Sequence, residues 1–183
     1  MPRLFTALEI PPEIALDLDL MRGGIAGARW IDRENFHITL RFMGEVDGGM
    51  YRELRAGLDG VRGAPLDLVL RGVGSFGGRK PHSLWAGVAE NPALRELQMA
   101  QERLCQQLGL PPDPRKFSPH VTLARLRQAR VDDVETYVLG HSLYQSPPFP
   151  AGRFVLMSSR PSRGGGPYAL EEAYPLEGRW TGG

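Results

Sequence analysis

The sequence predicts an α+β fold in which helices pack on the outside of antiparallel sheets. Segments that alternate apolar and polar residues, as half-buried strands do, are separated by longer segments with the apolar spacing of amphipathic helices. The two halves of the chain are also loosely alike, because each contains a strand, a helix and a strand that begins with the same kind of tetrapeptide. A cleft between two such sheets would bring the two tetrapeptides together.

The first part of the chain is predicted to contain five strands and two helices. Alternating side chains predict strands at residues 3–9, 30–31, 37–44, 66–70 and 83–88. A helix is predicted from Pro12 to about Arg22, because Pro11 and Pro12 are typical of a helix start. A second helix is predicted over residues 50–61, after the glycines that end the third strand.

The second part is predicted to begin with a long helix. Asn91 and Pro92 form an N-cap followed by proline, and Gly109 is a typical helix end. A stiff, proline-rich connection then leads to a strand at residues 120–126 and a short helix at 131–139. Strands at 154–159 and 168–174 form a closing hairpin, with a glycine-rich tip at 162–166 that we expect to be flexible and able to cover a site.

Length and composition indicate that residues 1–183 form one domain, or two small lobes that share a core. A net charge of +1 is too small for a surface that binds nucleic acid duplexes non-specifically, but it is compatible with a small or terminal phosphate. Only a local cluster such as Arg125, Arg127 and Arg130 would concentrate positive potential.

The single cysteine excludes an intramolecular disulfide and favours a reducing compartment. Cys105 falls within the long predicted helix, where we expect a buried, inert thiol. The N-terminal residues lack the apolar stretch of a signal peptide, and no run is long enough to span a membrane. We therefore expect a cytoplasmic protein without a membrane partner.

The most informative feature is a repeated tetrapeptide. His37-Ile38-Thr39-Leu40 returns as His120-Val121-Thr122-Leu123, and this repeat takes up two of the four histidines. On a strand, histidine and threonine of each copy share one face. Hydrolysis of a phosphodiester needs one group to deprotonate water and another to protonate the leaving oxygen, and imidazole can do either near neutral pH. Threonine hydroxyls can donate to the non-bridging oxygens.

Other kinds of site are less well supported. No HxH, HExxH or CxxC spacing is present, and neither tetrapeptide has an adjacent carboxylate, so we expect no metal site. The remaining histidines, His82 and His141, lack the pattern and are predicted to lie on the surface.

Residues 72–77 match GxGxxG, but no helix follows, so we interpret them as a turn rather than a dinucleotide site. Ser75, Ser158 and Ser159 have no context typical of a catalytic triad.

The two tetrapeptides lie within longer segments that carry a family resemblance. The segments LFTALEIP, WIDRENFHITLRFMGEV, GVGSFGGRKPHSLWAGV and KFSPHVTLARL resemble the two-histidine phosphoesterase superfamily, and in particular its LigT-like branch, the RNA 2′,3′-cyclic phosphodiesterases, also called 2′-5′ RNA ligases. The resemblance covers nearly the whole chain. It implies a bilobal fold with pseudo-two-fold symmetry and the site between the lobes. It also implies hydrolysis of the 2′,3′-cyclic phosphate at an RNA end to a 2′-phosphomonoester, without metal or cofactor.

The resemblance also implies roles for individual residues. His37 corresponds to the proton donor and His120 to the proton acceptor, while Thr39 and Thr122 correspond to phosphate-binding threonines. Arg125 matches a basic position near the phosphate.

Simple strand alternation favours a different arginine from the one that the resemblance implies. Five residues after His120, Arg125 should face away from the histidine, and Arg41 is the better placed arginine by this criterion. Phe42 and Phe117 have the chemistry to stack on a terminal base, but we expect both to pack in the core.

Two alternatives to the RNA-end hydrolase remain open. One is a non-catalytic protein that binds RNA ends, and the other is an enzyme of the same chemistry that acts on a small cyclic nucleotide. The reverse reaction, 2′-5′ RNA ligation, is expected only in vitro. The sequence shows no clear interface for an oligomer, so we expect a monomer.

Overall fold

The computed structural model describes residues 1–159 and 168–177, and the predicted hairpin tip at 162–166 lies outside them. The strands in this part of the chain are β1 (Arg3–Glu9), β2 (Ala28–Trp30), β3 (His37–Glu45), β4 (Leu66–Leu68), β5 (Leu70–Phe76), β6 (Ser83–Val88), β7 (His120–Leu126), β8 (Phe149–Ala151), β9 (Arg153–Ser159) and β10 (Tyr168–Pro175). The α-helices are α1 (Pro12–Asp19), α2 (Gly48–Leu58), α3 (Pro92–Gln107) and α4 (Val131–Gly140), and a 3₁₀ helix spans Arg33–Asn35.

The main sheet consists of two antiparallel halves that meet at β3 and β7. Its strand order is β10-β9-β1-β3-β7-β6-β5, with β2 beside β7, and β4 and β8 form a separate pair. A single residue pair, Ile38 with Val121, joins β3 to β7. We call β10-β9-β1-β3 the first half-sheet and β7-β6-β5 with β2 the second. The predicted α+β class with antiparallel sheets is confirmed, although the two sheets are joined by this one pair.

The helices cover the half-sheets and share an apolar core with them. α3 packs on β3, α2 on α3, and α4 on β5. Fully buried leucines such as Leu54 and Leu58 of α2 join the central cluster formed around Ile38 and Val121. The predicted cap of α3 is confirmed, since the side chain of Asn91 accepts from the backbone N–H of Leu94 at 3.1 Å.

Two details of the predicted strands are wrong. The strand at residues 66–70 is divided, because β4 pairs with β8 whereas β5 pairs with β6. The glycine-rich segment 72–77, interpreted as a turn, belongs mostly to β5. Its glycines have a packing role, since a Cβ on Gly74 would lie 2.4 Å from the ring of Trp85. Gly72 adopts φ +74° where the register between β5 and β6 shifts.

The cysteine is buried, as predicted. Cys105 lies in α3 with no exposed surface, and burial raises the pKa of its thiol to about 11. Among the residues described, no helix has the length and apolar character to cross a membrane.

Candidate active site

The structure brings both repeated tetrapeptides to one cleft. His37 and Thr39 on β3 line it from one side, and His120 and Thr122 on β7 line it from the other. The cleft has a volume of about 700 Å³, within the usual range for small-ligand sites. Because β3 and β7 are adjacent at the centre of the sheet, the two imidazoles face a shared space.

A β-bulge in β3 changes which later side chains face this cleft. Thr39 pairs with Ala7 of β1, but the next pair is Arg41 with Thr6, so β3 advances two residues while β1 advances one. This extra residue reverses the alternation of side chains beyond Thr39. Arg41 therefore points to the opposite face of the sheet, and Phe42 points to the cleft.

β7 contains a matching bulge. Thr122 pairs with Trp85 of β6, and the next pair is Ala124 with Leu84. The first seven residues of β3 and β7 consequently show the same sequence of buried and accessible positions. Arg125 is exposed on the same face as the histidines, and it lines the cleft.

The choice of Arg41 by simple alternation is wrong. Arg41 is only 5% exposed and forms an ion pair with Glu102 behind the sheet. Arg125, by contrast, lines the cleft together with both histidines.

Phe42 also differs from its prediction as a core residue. Its side chain is 42% exposed, lines the cleft, and stacks on Phe5 with ring centroids 5.7 Å apart. Phe117 does pack against the core, and it contributes to the cleft wall as well. The first half-sheet thus presents an aromatic surface at the position where the second presents Arg125.

Backbone carbonyls orient both histidines. The Nδ1–H of His37 donates to the carbonyl of Asn35 at 2.8 Å, and the Nδ1–H of His120 donates to that of Ser118 at 2.7 Å. A carbonyl can only accept, so Nδ1 carries the proton and Nε2 is the basic nitrogen of each neutral ring. Thr39 donates its hydroxyl proton to Nε2 of His37 at 3.1 Å.

Aromatic rings surround each imidazole. The ring of His37 lies 5.1 Å from those of Phe5 and Tyr168, with Tyr168 edge-on. On the other side, the ring of His120 lies 5.0 Å from Phe76, also edge-on. These contacts fix the planes of the imidazoles and reduce their access to water.

Both histidines have a pKa below the ordinary value. Burial is the largest cause for each, and the positive charge of Arg125 also lowers both values. A protonated His120 further lowers the pKa of His37, whereas the bonds to the two carbonyls act in the opposite direction. A bound anion would offset these unfavourable charges, so the cleft suits a phosphate ligand.

The other two histidines have different surroundings. His82 is exposed at the edge of the cleft, a position that its sequence context did not indicate. His141 donates from Nδ1 to the carbonyl of Tyr137 at 2.8 Å and stacks on its ring, at the end of α4. Within residues 1–159 and 168–177, no group of three or more histidine, cysteine or acidic side chains could hold a metal ion.

Comparison with known proteins identifies the family. The family model described as LigT like Phosphoesterase matches residues 8–85 and 87–168. The chain belongs to the LigT-like phosphoesterases.

Relatives named RNA 2′,3′-cyclic phosphodiesterase share sequence with parts of the chain. The one from Geobacillus stearothermophilus is 41% identical over 52% of this chain, and the one from Aeropyrum pernix is 39% identical over 55%. These matches span 32% and 58% of the two relatives' own lengths. The relative from Thermotoga maritima is 32% identical over 68% of this chain and 70% of its own.

Solved structures share the fold over almost the whole chain. A protein from Thermus thermophilus has a TM-score of 0.78 at 25% identity, covering 97% of this chain and 99% of its own. E. coli LigT complexed with 3′-AMP has a TM-score of 0.75 at 24% identity, covering 96% and 99%.

Proposed function

We propose that this protein hydrolyses the 2′,3′-cyclic phosphate at an RNA end to a 2′-phosphomonoester by metal-independent acid–base catalysis. The observation that carries the proposal is the pair of imidazoles, His37 and His120, held with their Nδ1 atoms bonded to carbonyls and lining one cleft with Arg125. The name shared by the relatives supports the substrate, and the complex of E. coli LigT with 3′-AMP supports a nucleotide as the kind of ligand.

In the proposed reaction, His120 acts as base and His37 as acid. Nε2 of His120 removes a proton from water as its oxygen bonds to phosphorus, and the P–O3′ bond breaks as His37, in its doubly protonated form, gives its Nε2 proton to the leaving oxygen. Each transfer contributes roughly 10²–10⁴-fold to the rate. The hydroxyls of Thr39 and Thr122 and the guanidinium of Arg125 stabilise the charge that develops on the non-bridging oxygens.

The asymmetry of the cleft supports this division of roles. Five residues after His37, the first half-sheet presents the exposed ring of Phe42, which can stack on a base, whereas five residues after His120 the second presents Arg125. Attack in line with the leaving group places water on the far side of phosphorus from the 3′-oxygen. A nucleoside stacked on Phe42 therefore brings its 3′-oxygen to His37 and leaves the water to His120.

The direct test uses an oligonucleotide that ends in a 2′,3′-cyclic phosphate. We expect a 2′-phosphate product at a rate that EDTA does not change, and a loss of at least about 10²-fold in H37Q and in H120Q. H141Q is the matched control, since His141 lies against Tyr137 outside the cleft lining. A 3′-phosphate product, inhibition by EDTA, or full activity in either cleft variant would contradict the proposal.

The same assay separates the alternatives. A protein that only binds RNA ends would retain the oligonucleotide without product. An enzyme for small cyclic nucleotides would hydrolyse a 2′,3′-cyclic mononucleotide with a higher kcat/KM than the oligonucleotide. We favour the longer substrate because Arg115 and Lys116 add positive charge to the cleft wall, which suits further phosphates of a chain. A monomer in the cytoplasm and 2′-5′ ligation in vitro remain predictions.

A further inference from the structure

The segment between α3 and β7 forms one wall of the cleft. We call residues 108–119 the connector, since it leaves the helix packed on the first half-sheet and enters the motif strand of the second. The connector residues that line the cleft are Asp113, Arg115, Lys116, Phe117 and Ser118. Its position therefore affects both the shape of the cleft and the carbonyl that orients His120.

An ion pair behind β3, between the buried Arg41 and the partly buried Glu102, holds the start of this connector. Arg41 donates from Nε to Glu102 of α3, from Nη1 to the carbonyl of Phe42, and from Nη2 to that of Pro111 at 2.6 Å. Glu102 in turn accepts from the backbone N–H of Asp113 at 3.0 Å. We call Arg41 and Glu102 the clamp, because together they bond the connector backbone at two points.

The chemistry of the clamp points to a role beyond packing. Burying an ion pair carries a desolvation cost that apolar residues of similar volume would avoid. Each clamp residue binds connector backbone as well as its charged partner, and Glu102 also accepts from Gln106 at 2.9 Å. The arrangement fixes one backbone path for the connector.

The connector is stiff enough to transmit this position to His120. Prolines 111, 112, 114 and 119 restrict its backbone, and the carboxylate of Asp113 accepts from the N–H of Arg115 at 3.0 Å. Phe117 packs against the core, and the next residue, Ser118, accepts the Nδ1–H of His120. Prolines and bonded or packed residues thus restrict the connector at several points between the clamp and the histidine.

We propose that Arg41 and Glu102 are positioning residues that hold the connector so that the Ser118 carbonyl keeps His120 in its reactive orientation. Neither side chain belongs to the described cleft lining, so neither touches the substrate. The activity measurements below rest on the proposed function, whereas the spectroscopic measurement on His120 needs no substrate.

The test compares R41M and E102Q with R41K, which restores a positive charge, and with R55M as control. Arg55 pairs with Glu172 at 2.8 Å between α2 and β10, and neither residue lines the cleft. Nitrogen-15 NMR of the imidazoles resolves the tautomer of each ring, and the chain has only four histidines to assign. Steady-state kinetics on the cyclic-phosphate oligonucleotide give kcat and KM separately.

We expect the His120 signals of R41M and E102Q to move towards a mixture of tautomers, with those of His141 unchanged. We expect kcat of these two variants to fall about 10–100-fold, because misplacing a catalytic group lowers the rate by about this factor. We expect KM to change less than about threefold. R41K should recover part of kcat, and R55M should match the wild type.

Two results would overturn the proposal. One is a folded R41M or E102Q with the wild-type His120 spectrum and kcat, and the other is an equal effect in R55M. If R41M does not fold, E102Q decides by the same criteria, because it keeps the volume and an oxygen acceptor. If the wild type shows no turnover, the proposed function fails, and the His120 spectra alone decide whether the clamp positions the ring.

Discussion

Replacing Arg125 by glutamine tests the consequence of the bulge in β7. The guanidinium is exposed and lines the cleft, so we expect R125Q to change unfolding free energy by less than about 0.5 kcal/mol. A hydrogen bond to a charged group contributes about 1.5–3 kcal/mol. If R125Q loses one such bond to the phosphate, its kcat/KM should fall about 10–150-fold.

The same substitution should move the pH profile. Burial is the main cause of the low pKa of His37 and of His120, and the charge of Arg125 adds to it in both. Without that charge, protonation of both rings becomes easier, so both limbs of the kcat/KM profile should move to higher pH.

The assay is hydrolysis of the cyclic-phosphate oligonucleotide between pH 4 and 9, with R127Q as control. Arg127 is also exposed on the same segment, but it is not part of the described cleft lining. A kcat/KM for R125Q within twofold of the wild type, or limbs that move to lower pH, would refute the placement of Arg125 at the phosphate.

Two further predictions concern stability. G74A places a Cβ 2.4 Å from the Trp85 ring, so it should lower the free energy of unfolding by about 1–3 kcal/mol in denaturant titrations. The control G140A should not destabilise the protein, because the space around Gly140 is open. Equal stabilities of the two variants would contradict this packing role of Gly74. Because His37 and His120 have a lowered pKa when folded, the unfolded chain binds protons first as pH falls. Their contribution to stability is present above about pH 6.5 and is lost below it. The H37Q/H120Q double variant should therefore lose less unfolding free energy than the wild type between pH 7 and 5. An identical dependence of unfolding free energy on pH in the two proteins would contradict this prediction.

Sequence periodicity was sufficient to place the catalytic candidates. Histidine and threonine two residues apart share a strand face whatever the fold, and the structure puts both pairs in one cleft. The cap of α3 and the burial of Cys105 could also be predicted, because they depend only on residue type and helical spacing in the local sequence.

The facing of Arg41, Phe42 and Arg125 depends on strand pairing, so it could not be predicted from one strand alone. In both motif strands, two successive buried residues mark the bulge, but Leu40-Arg41 and Leu123-Ala124 do not look unusual in sequence. Only the register against β1 and β6 shows that the alternation reverses.

Two other features were hidden for different reasons. The carbonyls of Asn35 and Ser118, which orient the imidazoles, belong to the backbone and leave no signal in residue type. The glycines of β5 are typical of a turn, yet at Gly74 the absent side chain makes room for Trp85.

The division of roles between His37 and His120 can be tested with a substrate whose 3′-oxygen is replaced by sulfur. A thiolate leaves without protonation, so the loss of the acid should matter little with this substrate, whereas the loss of the base should remain. We predict that the 3′-thio substrate restores hydrolysis by H37Q to near the wild-type rate and does not restore hydrolysis by H120Q. Equal losses in both variants on both substrates, or rescue of H120Q alone, would contradict it.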